Sequence, residues 1–308
     1  MKKRVVITGA TGFVGRFALN RLQEAGYEVH GVTHAERSSH PSGVVWHERD
    51  LLDPVQSYEL MEQIRPTHLL HFAWYTKHGL FWSASVNMDW VTASIKLLQA
   101  FNDFGGNRAV FVGSCAEYAE VDTACVEGET RLEPRTLYGA CKHALHSMSA
   151  VYAGQSGFSF AWGRIFHLYG PGEVKERLVP SVIDALLSRM PVQCTHGRQL
   201  RDFMYVEDVA GACVKLLDSP IQGAVNIATG DVVSIGTVVE KIARLIGRSD
   251  LVQMGALPTS NDDPACLIAD TSRLQNEVGW CCNYSLEAGL TKTIALHNKM
   301  RKSTDEEY

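Results

Sequence analysis

Tyr138 and Lys142 stand four residues apart in TLYGACKHALHSM (136–148). On a helix that spacing puts both side chains on one face. A phenol ordinarily ionises near pH 10, about three units too high for ready proton exchange at neutrality. An ammonium within a few ångströms favours the phenolate, so the pair is expected to move a proton onto a carbonyl oxygen or off an alcohol. A second cluster lies upstream, where VFVGSCAEYA (110–119) crowds Ser114, Cys115, Glu117 and Tyr118 together. By type, Ser114 or Cys115 could be a nucleophile, Glu117 a base and Tyr118 an acid. A hydrolytic serine, however, needs a histidine base and an acidic orienter, and G-S-C-A-E lacks the nucleophile-elbow pattern.

The elements that must position these groups can be read from the pattern of apolar runs. Arg4 to Thr8 (RVVIT) is a short β-branched run of the kind that fills a buried parallel strand. Gly9-Ala10-Thr11-Gly12-Phe13-Val14-Gly15 follows, then the amphipathic RFALNRLQEAG with a glycine stop at Gly26. Strand, glycine turn and helix are the context a dinucleotide fingerprint requires. In that reading Gly9 allows the tight turn, Gly12 lets the backbone approach a pyrophosphate, and Gly15 lets the helix pack on the sheet. The pyrophosphate would sit at the positive helix end. Further runs recur at βαβ distances: EVHGVTH (28–34), HLLHFAW (68–74), AVFVGS (109–114) and FSFAWGRIF (158–166), with helical stretches such as DWVTASIKLLQAFNDFG (89–105) between them. The alternation predicts an α/β chain built on a Rossmann-type doubly wound parallel sheet.

The second run bears on the cofactor. A chain that binds NAD usually ends this strand with an acid that accepts from the ribose 2′-hydroxyl. Here it ends Val32-Thr33-His34, with Glu36-Arg37 beyond. The missing carboxylate, with Arg16 and Arg37 in the neighbourhood, suits a 2′-phosphate, so NADP is the expected cofactor and NAD the alternative.

At 308 residues, with 45% hydrophobic and 20% charged residues, the chain is long enough to bury a core without disulfides or metal. A formal charge of −5 argues against a nucleic-acid partner. No apolar run approaches the roughly 18 residues of a membrane span. Met1-Lys2-Lys3-Arg4 is followed by too short an apolar run for a signal peptide. The eight cysteines show neither C-x-x-C nor zinc-site spacing with histidine, so no metal is expected and free thiols in a reducing cytoplasm are.

Ser114 lies 24 residues before Tyr138, behind the glycine fingerprint. Ser114, Tyr138 and Lys142 together resemble the catalytic triad of the extended short-chain dehydrogenase/reductases, the NAD-dependent epimerase/dehydratase branch that works on nucleotide-activated sugars. G-x-x-G-x-x-G preceded by Thr8 is similar to the superfamily's spacing. HFAW (71–74) stands where the branch has H-x-A-A, and Asn87 lies on the next segment. RIFHLYGPG (164–172) resembles R-Y-F-N-V-Y-G-P, and LVPSVI (178–183) the substrate-loop stretch. RDFMYVEDVA (201–210), NIATGD (226–231) and ADTSRLQNEVGW (269–280) extend a resemblance running from about residue 3 to residue 298.

The resemblance implies that Ser114 donates a hydrogen bond to the substrate carbonyl, that Tyr138 supplies the proton, and that Lys142 tunes Tyr138 and bonds the cofactor's ribose. It implies cofactor contacts at Gly9, Thr11, Gly12, Phe13, Val14, Gly15, Thr33, Arg37, Phe72, Ala73, Trp74, Tyr138, Lys142 and Phe166, with Asp50 and Leu51 at the adenine. Substrate contacts are implied at Ser114, Cys115, His167, Val179, Arg201 and Tyr75, with Arg201 reaching the nucleotide's phosphates through its forked donors. Tyr118 would shape the turn. The C-terminal segments would form a smaller substrate-binding lobe: residues 1–170 and 204–230 the dinucleotide-binding domain, 171–203 and 231–308 the lobe. A homodimer would pair 89–105 and 138–153, with Leu145, Met148, Val151 and Tyr152 as an apolar face.

Departures from the pattern narrow the reaction. Sugar 4,6-dehydratases of this family place an Asp-Glu pair directly after the Ser/Thr. This chain has Cys115-Ala116 there, and Glu117 comes one residue late. Cys115 and His167 are out of step with the Cys/His pair of enzymes that epimerise beside a ketone. Relatives carry R-P-G-D ten residues before the ADTSR aspartate, whereas counting back from Asp270 reaches Ser260, in SNDDP. That loss moves the expected positive charge elsewhere, to Arg177 or Lys175. Trp74, Tyr75, His78, Phe81 and Trp82 crowd the loop after HFAW, either to stack on sugar or base or as a packed lid. The expected activity is reduction of the 4-keto group of a nucleotide-linked deoxysugar. A C4-epimerase with tightly held NAD is the alternative, and a nicotinamide-binding regulator without turnover a third reading.

Overall fold

A computed structural model describes residues 3–34, 41–259 and 263–305. Its strands are β1 (Arg4–Thr8), β2 (Glu28–Thr33), β3 (Val44–Glu48), β4 (His68–His71), β5 (Arg108–Ser114), β6 (Ser159–Ile165), β7 (His167–Tyr169), β8 (Val192–Gln193), β9 (Leu200–Tyr205), β10 (Gly223–Ile227), β11 (Val232–Ser234), β12 (Val252–Gln253) and β13 (Cys266–Leu267). Its helices are α1 (Gly15–Glu24), α2 (Pro54–Ile64), α3 (Val86–Asp103), α4 (Leu137–Ser156), α5 (Leu178–Leu187), α6 (Val206–Asp218), α7 (Ile235–Ile246) and α8 (Leu286–Asp305).

Seven strands form one sheet in the order β10-β6-β5-β4-β1-β2-β3, every pair parallel. Because side chains alternate along a strand, each strand feeds two cores. Val5 and Ile7 pack with Leu19 and Leu22 of α1 and Val209 and Leu216 of α6. Val6, Leu69, Phe111 and Trp162 face Leu60, Leu97, Phe101 and Leu145 of α2, α3 and α4. The sheet thus has helices on both faces, as the alternation of runs predicted.

A smaller assembly stands beyond the carboxyl edge. There β9 is flanked by β11, β13 and β7, and β8 pairs with β12. Val182 and Ile183 of α5, Val238 and Ile242 of α7 and Leu290 of α8 close its core over Phe203 and Tyr205. All eight cysteines are free thiols. No described helix is long and apolar enough to cross a membrane.

Two boundaries differ from the sequence reading, for local reasons. β4 stops at His71, not Trp74, because the chain peels away and donates from Ala73 N to the Thr8 hydroxyl at 3.2 Å. α3 begins at Val86, since Asn87 is buried and satisfies the loop ahead of it. Of the residues expected on the apolar face of α4, Leu145 is inside the core and Tyr152 half-buried, while Met148 and Val151 are exposed.

The glycine turn shows why side chains are barred from it. Gly9 holds φ +61°, and a Cβ there would meet Ala73 N at 2.8 Å. A Cβ on Gly15 would come within 2.1 Å of the Gly9 carbonyl oxygen. Gly15→Ala must therefore push α1 off the sheet; overpacking of this kind costs about 1–3 kcal/mol or more. Thermal unfolding without any nucleotide should show a clear fall in Tm, and an unchanged Tm would contradict the packing described.

Candidate active site

The order of the sheet puts the carboxyl ends of β1, β4 and β5 side by side, where β2 and β4 leave β1 in opposite directions. That crevice is where open α/β sheets take ligands. His71 ties it together: Nδ1 lies 2.7 Å from the Thr8 hydroxyl and Nε2 2.9 Å from that of Ser94. Burial, with the Lys142 charge second, pushes its pKa down to about 3, so the ring stays neutral.

The glycine turn fits a dinucleotide's phosphates. Gly12 N closes onto Gly9 O at 2.9 Å, and Val14 caps α1 with no side-chain hydrogen bond and no acid in the first turn. The helix presents a positive end that no carboxylate of its own neutralises. Thr11, Phe13 and Val14 are half-buried around it. Thr33 ends β2, buried and with no carboxylate at that position. Asp50 is folded onto its own turn, Oδ1 accepting from Leu52 N at 2.9 Å, while Leu51 is in the core. Phe72 and Ala73 are half-buried at the end of β4, and Phe166 is buried beside Tyr118. Arg37 lies outside the described residues. Arg16 donates to the Pro171 carbonyl and lies over the rings of Phe13 and Phe17.

Ser114, Tyr138 and Lys142 meet at the head of β5. Thr136 caps α4 by accepting from Gly139 N at 3.1 Å, and Tyr138 N donates to Trp82 O at 3.1 Å. The Ser114 side chain bears on the Tyr138 hydroxyl and favours its anion. Phe81, Trp82 and Trp74 present their rings to the phenol at near right angles, with centroids at 4.9, 5.7 and 6.5 Å. These rings dry the site. Burial drives the Tyr138 hydroxyl above its ordinary range and outweighs the opposing influence of Ser114 and the charge of Arg177. The expected lowering by Lys142 does not prevail. The Lys142 ammonium lies 6.0 Å from the Tyr138 ring, donates to Val112 O at 2.9 Å, and is pushed down to about 7 by burial.

Glu117, one of the candidate bases, is turned inward instead. It is 0% exposed and accepts from Ser114 N at 2.8 Å, Trp162 Nε1 at 2.9 Å and Arg164 Nε at 3.0 Å. Gly113 makes room for this: a Cβ there would lie 2.0 Å from Trp162 Nε1. Arg164 also donates to the Tyr118 hydroxyl at 3.1 Å and to His146 Nδ1 at 3.3 Å. Glu117, His143 and His146 come within 4.8 Å of one another, but the guanidinium already sits on two of them, and the cluster reads as an ion-pair network. The Tyr118 hydroxyl donates to Asn226 Oδ1 at 2.8 Å and so braces the turn.

On the substrate side, burial lifts the Cys115 thiol to about 12 and holds His167 down to about 3. Arg201 is 3% exposed and pairs with Asp263 at 2.5 Å, inside the stretch that departs from R-P-G-D. Ser260 lies outside the described residues. Arg177 starts α5, stands over the Phe81 ring at 5.6 Å and, with Arg201, bears on His167. Val179 is packed in the lobe's core, Tyr75 is half-buried, and His78 and Lys175 are exposed.

Residues 5–235 match the model of the NAD dependent epimerase/dehydratase family. The chain belongs to that family. It is 25% identical over 306 residues to the CDP-abequose synthase of Salmonella typhimurium, covering 96% of this chain and 98% of that protein. It is 26% identical over 305 residues to the UDP-glucose 4-epimerase of Corynebacterium glutamicum, covering 90% of each. The UDP-glucose 4-epimerase of Thermus thermophilus, solved in complex with NAD, superposes with a TM-score of 0.83 at 25% identity, over 96% of this chain and 99% of that one.

Within the family frame, sequence reasoning missed the pairings that hold the site. Arg164 gave a signal, since a charge inside the apolar run FSFAWGRIF must find a buried partner. Trp74–Asn87 and Thr8–His71–Ser94 gave none, because their members lie far apart in the chain. Removing one partner of a buried ion pair costs about 3–5 kcal/mol. Arg164→Met should therefore lower the urea unfolding free energy by that order, and adding Glu117→Gln should regain most of it. Equal losses in the single and double variants would refute the pairing.

Proposed function

We propose that the chain is an NAD(P)-dependent reductase of the 4-keto group of a nucleotide-linked deoxysugar, with NADP the preferred cofactor. The observation that carries the reading is the convergence of Ser114, Tyr138 and Lys142 at the switch point, with Glu117 locked away by Arg164. A bound dinucleotide would supply the hydride. Ser114 donates a hydrogen bond to the carbonyl oxygen, and Tyr138 gives that oxygen its proton as the alkoxide forms. Lys142 helps hold the ribose. Burial keeps the Tyr138 phenol protonated, the form from which a proton can pass to an alkoxide.

The same geometry weighs against other chemistry. Elimination of water needs an acid–base pair that Cys115-Ala116 does not supply. A thiol lifted to about 12 and a histidine held near 3 make a poor pair for deprotonation next to a ketone. Arg201 and Arg177 are assigned to the anionic end of a nucleotide sugar, replacing the arginine lost at Ser260. The relatives named UDP-glucose 4-epimerase favour one second reading, C4-epimerisation on a retained NAD. The absence of an acid at the end of β2 supports NADP over NAD. Exposed Met148 and Val151 support a homodimer through the outer face of α4, and the free thiols a cytoplasmic setting.

Tyr138→Phe keeps the ring packed against Phe81 and Trp82 and removes only the proton donor. It should lower kcat roughly 10²–10⁴-fold, while the affinity for NADPH, read by fluorescence, changes little. Wild-type turnover retained in this variant would sink the reductase mechanism. A panel of nucleotide 4-ketosugars oxidising NADPH supports reduction. Interconversion of 4-epimers on a co-purified NAD with no net redox change supports the epimerase instead. Met148→Glu should turn a dimer into a monomer in sedimentation velocity; a wild-type protein already monomeric at micromolar concentration would remove the interface.

A further inference from the structure

Lys142 has few means of keeping a charge where it stands. It is 3% exposed, and an ammonium has three protons to place. One goes to Val112 O. The carboxylate that faces it, Glu117, is already engaged by Arg164. The remaining compensation is the face of an indole, for Nζ lies 3.7 Å from the centroid of Trp74. An aromatic face at that distance attracts a cation through its quadrupole, most strongly when water is excluded.

That indole is held in place. Nε1 donates to Asn87 Oδ1 at 2.8 Å, and Asn87, fully buried, donates in turn to Phe81 O at 2.7 Å and Ala84 O at 2.8 Å. Trp90 packs against the same ring at 6.1 Å. One asparagine therefore fixes both the ring beneath Lys142 and the loop that sets Phe81 and Trp82 around Tyr138.

We propose that Trp74 is a positioning residue: its indole, locked by Asn87, carries the Lys142 ammonium on its face and sets where that charge stands relative to Tyr138. The inference rests on the reading of Lys142 as part of a hydride-transfer site. The other titratable groups facing Lys142 are Glu117 from the turn after β5, His71 at the end of β4, and Tyr138 on α4 itself. All three stay in place in the variants that test the idea.

The test titrates protein carrying ε-¹³C-lysine by NMR, with the Lys142 resonance assigned by its loss in Lys142→Arg. Because the indole face favours the charged form, its weakening should lower the Lys142 midpoint. Trp74→Phe should lower it by roughly half a pH unit and Trp74→Leu by about one unit or more. Asn87→Ala should give an intermediate shift and add nothing to Trp74→Leu. The pH profile of kcat/KM with a nucleotide 4-ketosugar should move in the same direction. A midpoint that is unchanged or rises in Trp74→Phe would overturn the proposal, since the ring would then merely exclude water. So would a midpoint that moves while the kinetic profile stays fixed. If no 4-ketosugar is turned over by the unsubstituted protein, the reductase reading fails, and the ligand-free titration still decides whether Trp74 carries the charge.

Discussion

A carboxylate and a guanidinium buried together at the end of a parallel sheet constrain everything built over them. Glu117 and Arg164 are 0% and 1% exposed, so neither charge survives there without the other. Glu117 fills its remaining capacity with Ser114 N and Trp162 Nε1, which fixes the backbone of Ser114. Arg164 commits its other donors to Tyr118 and His146, tying the turn after β5 to α4. Tyr118 hands the chain of bonds to Asn226, whose amide reaches Cys125 O and Asp270 O. Strands β5, β6 and β10, helix α4 and the segment entering the lobe thus share one polar network, and the spacing of Ser114 from Tyr138 is a consequence of it.

The same network explains which parts of the site sequence reasoning could reach. Periodicity exposes elements, so the runs around residues 4–8, 28–34, 68–74, 109–114 and 158–166 led to strands, and the glycine turn to its helix. Tyr138 and Lys142 could be placed on one face by counting along a helix. Ser114 needed the resemblance, because nothing local says that the head of β5 meets α4. The role of Glu117 was out of reach from its own neighbourhood: the residues around a serine look like chemistry until a strand 47 positions later supplies the arginine. Trp74 was visible as an aromatic, but its orientation depends on Asn87, and no short-range pattern links the two. Local physics shows through in sequence, whereas the pairing of buried polar groups across elements is settled only by tertiary packing.

Dryness is the second theme, and it works on each titratable group in the sense that its charged form dictates. Burial raises Tyr138 and Cys115, which would become anions, and lowers Lys142, His71 and His167, which would become cations. The net result is a reaction centre whose ionisable side chains are poised toward neutrality, walled by Trp74, Phe81 and Trp82. Formal charge near it is held by arginines: Arg201 with its Asp263 partner, Arg177 at the start of α5, and Arg164 paired with Glu117. On the proposed reading such a division would suit a substrate with an anionic handle and an uncharged ketone: guanidinium would grip the handle, and the ketone would enter a low-dielectric pocket where a single donated proton counts for more.

The division also sets the burden on Lys142. Every neighbour that dries Tyr138 also dries Lys142, so the pocket that keeps the phenol protonated weakens the ammonium that the family's chemistry asks of the lysine. Burial pushes Lys142 down to about 7, well below an ordinary lysine. A carboxylate could restore its charge, but Glu117 is committed to Arg164, and a second acid near Tyr138 would raise the phenol further. An aromatic face avoids that conflict, since it stabilises a cation without bringing an anion or water into the pocket. The indole of Trp74 at 3.7 Å from Nζ is therefore the kind of partner a dry site can tolerate, and the buried Asn87 holds it there.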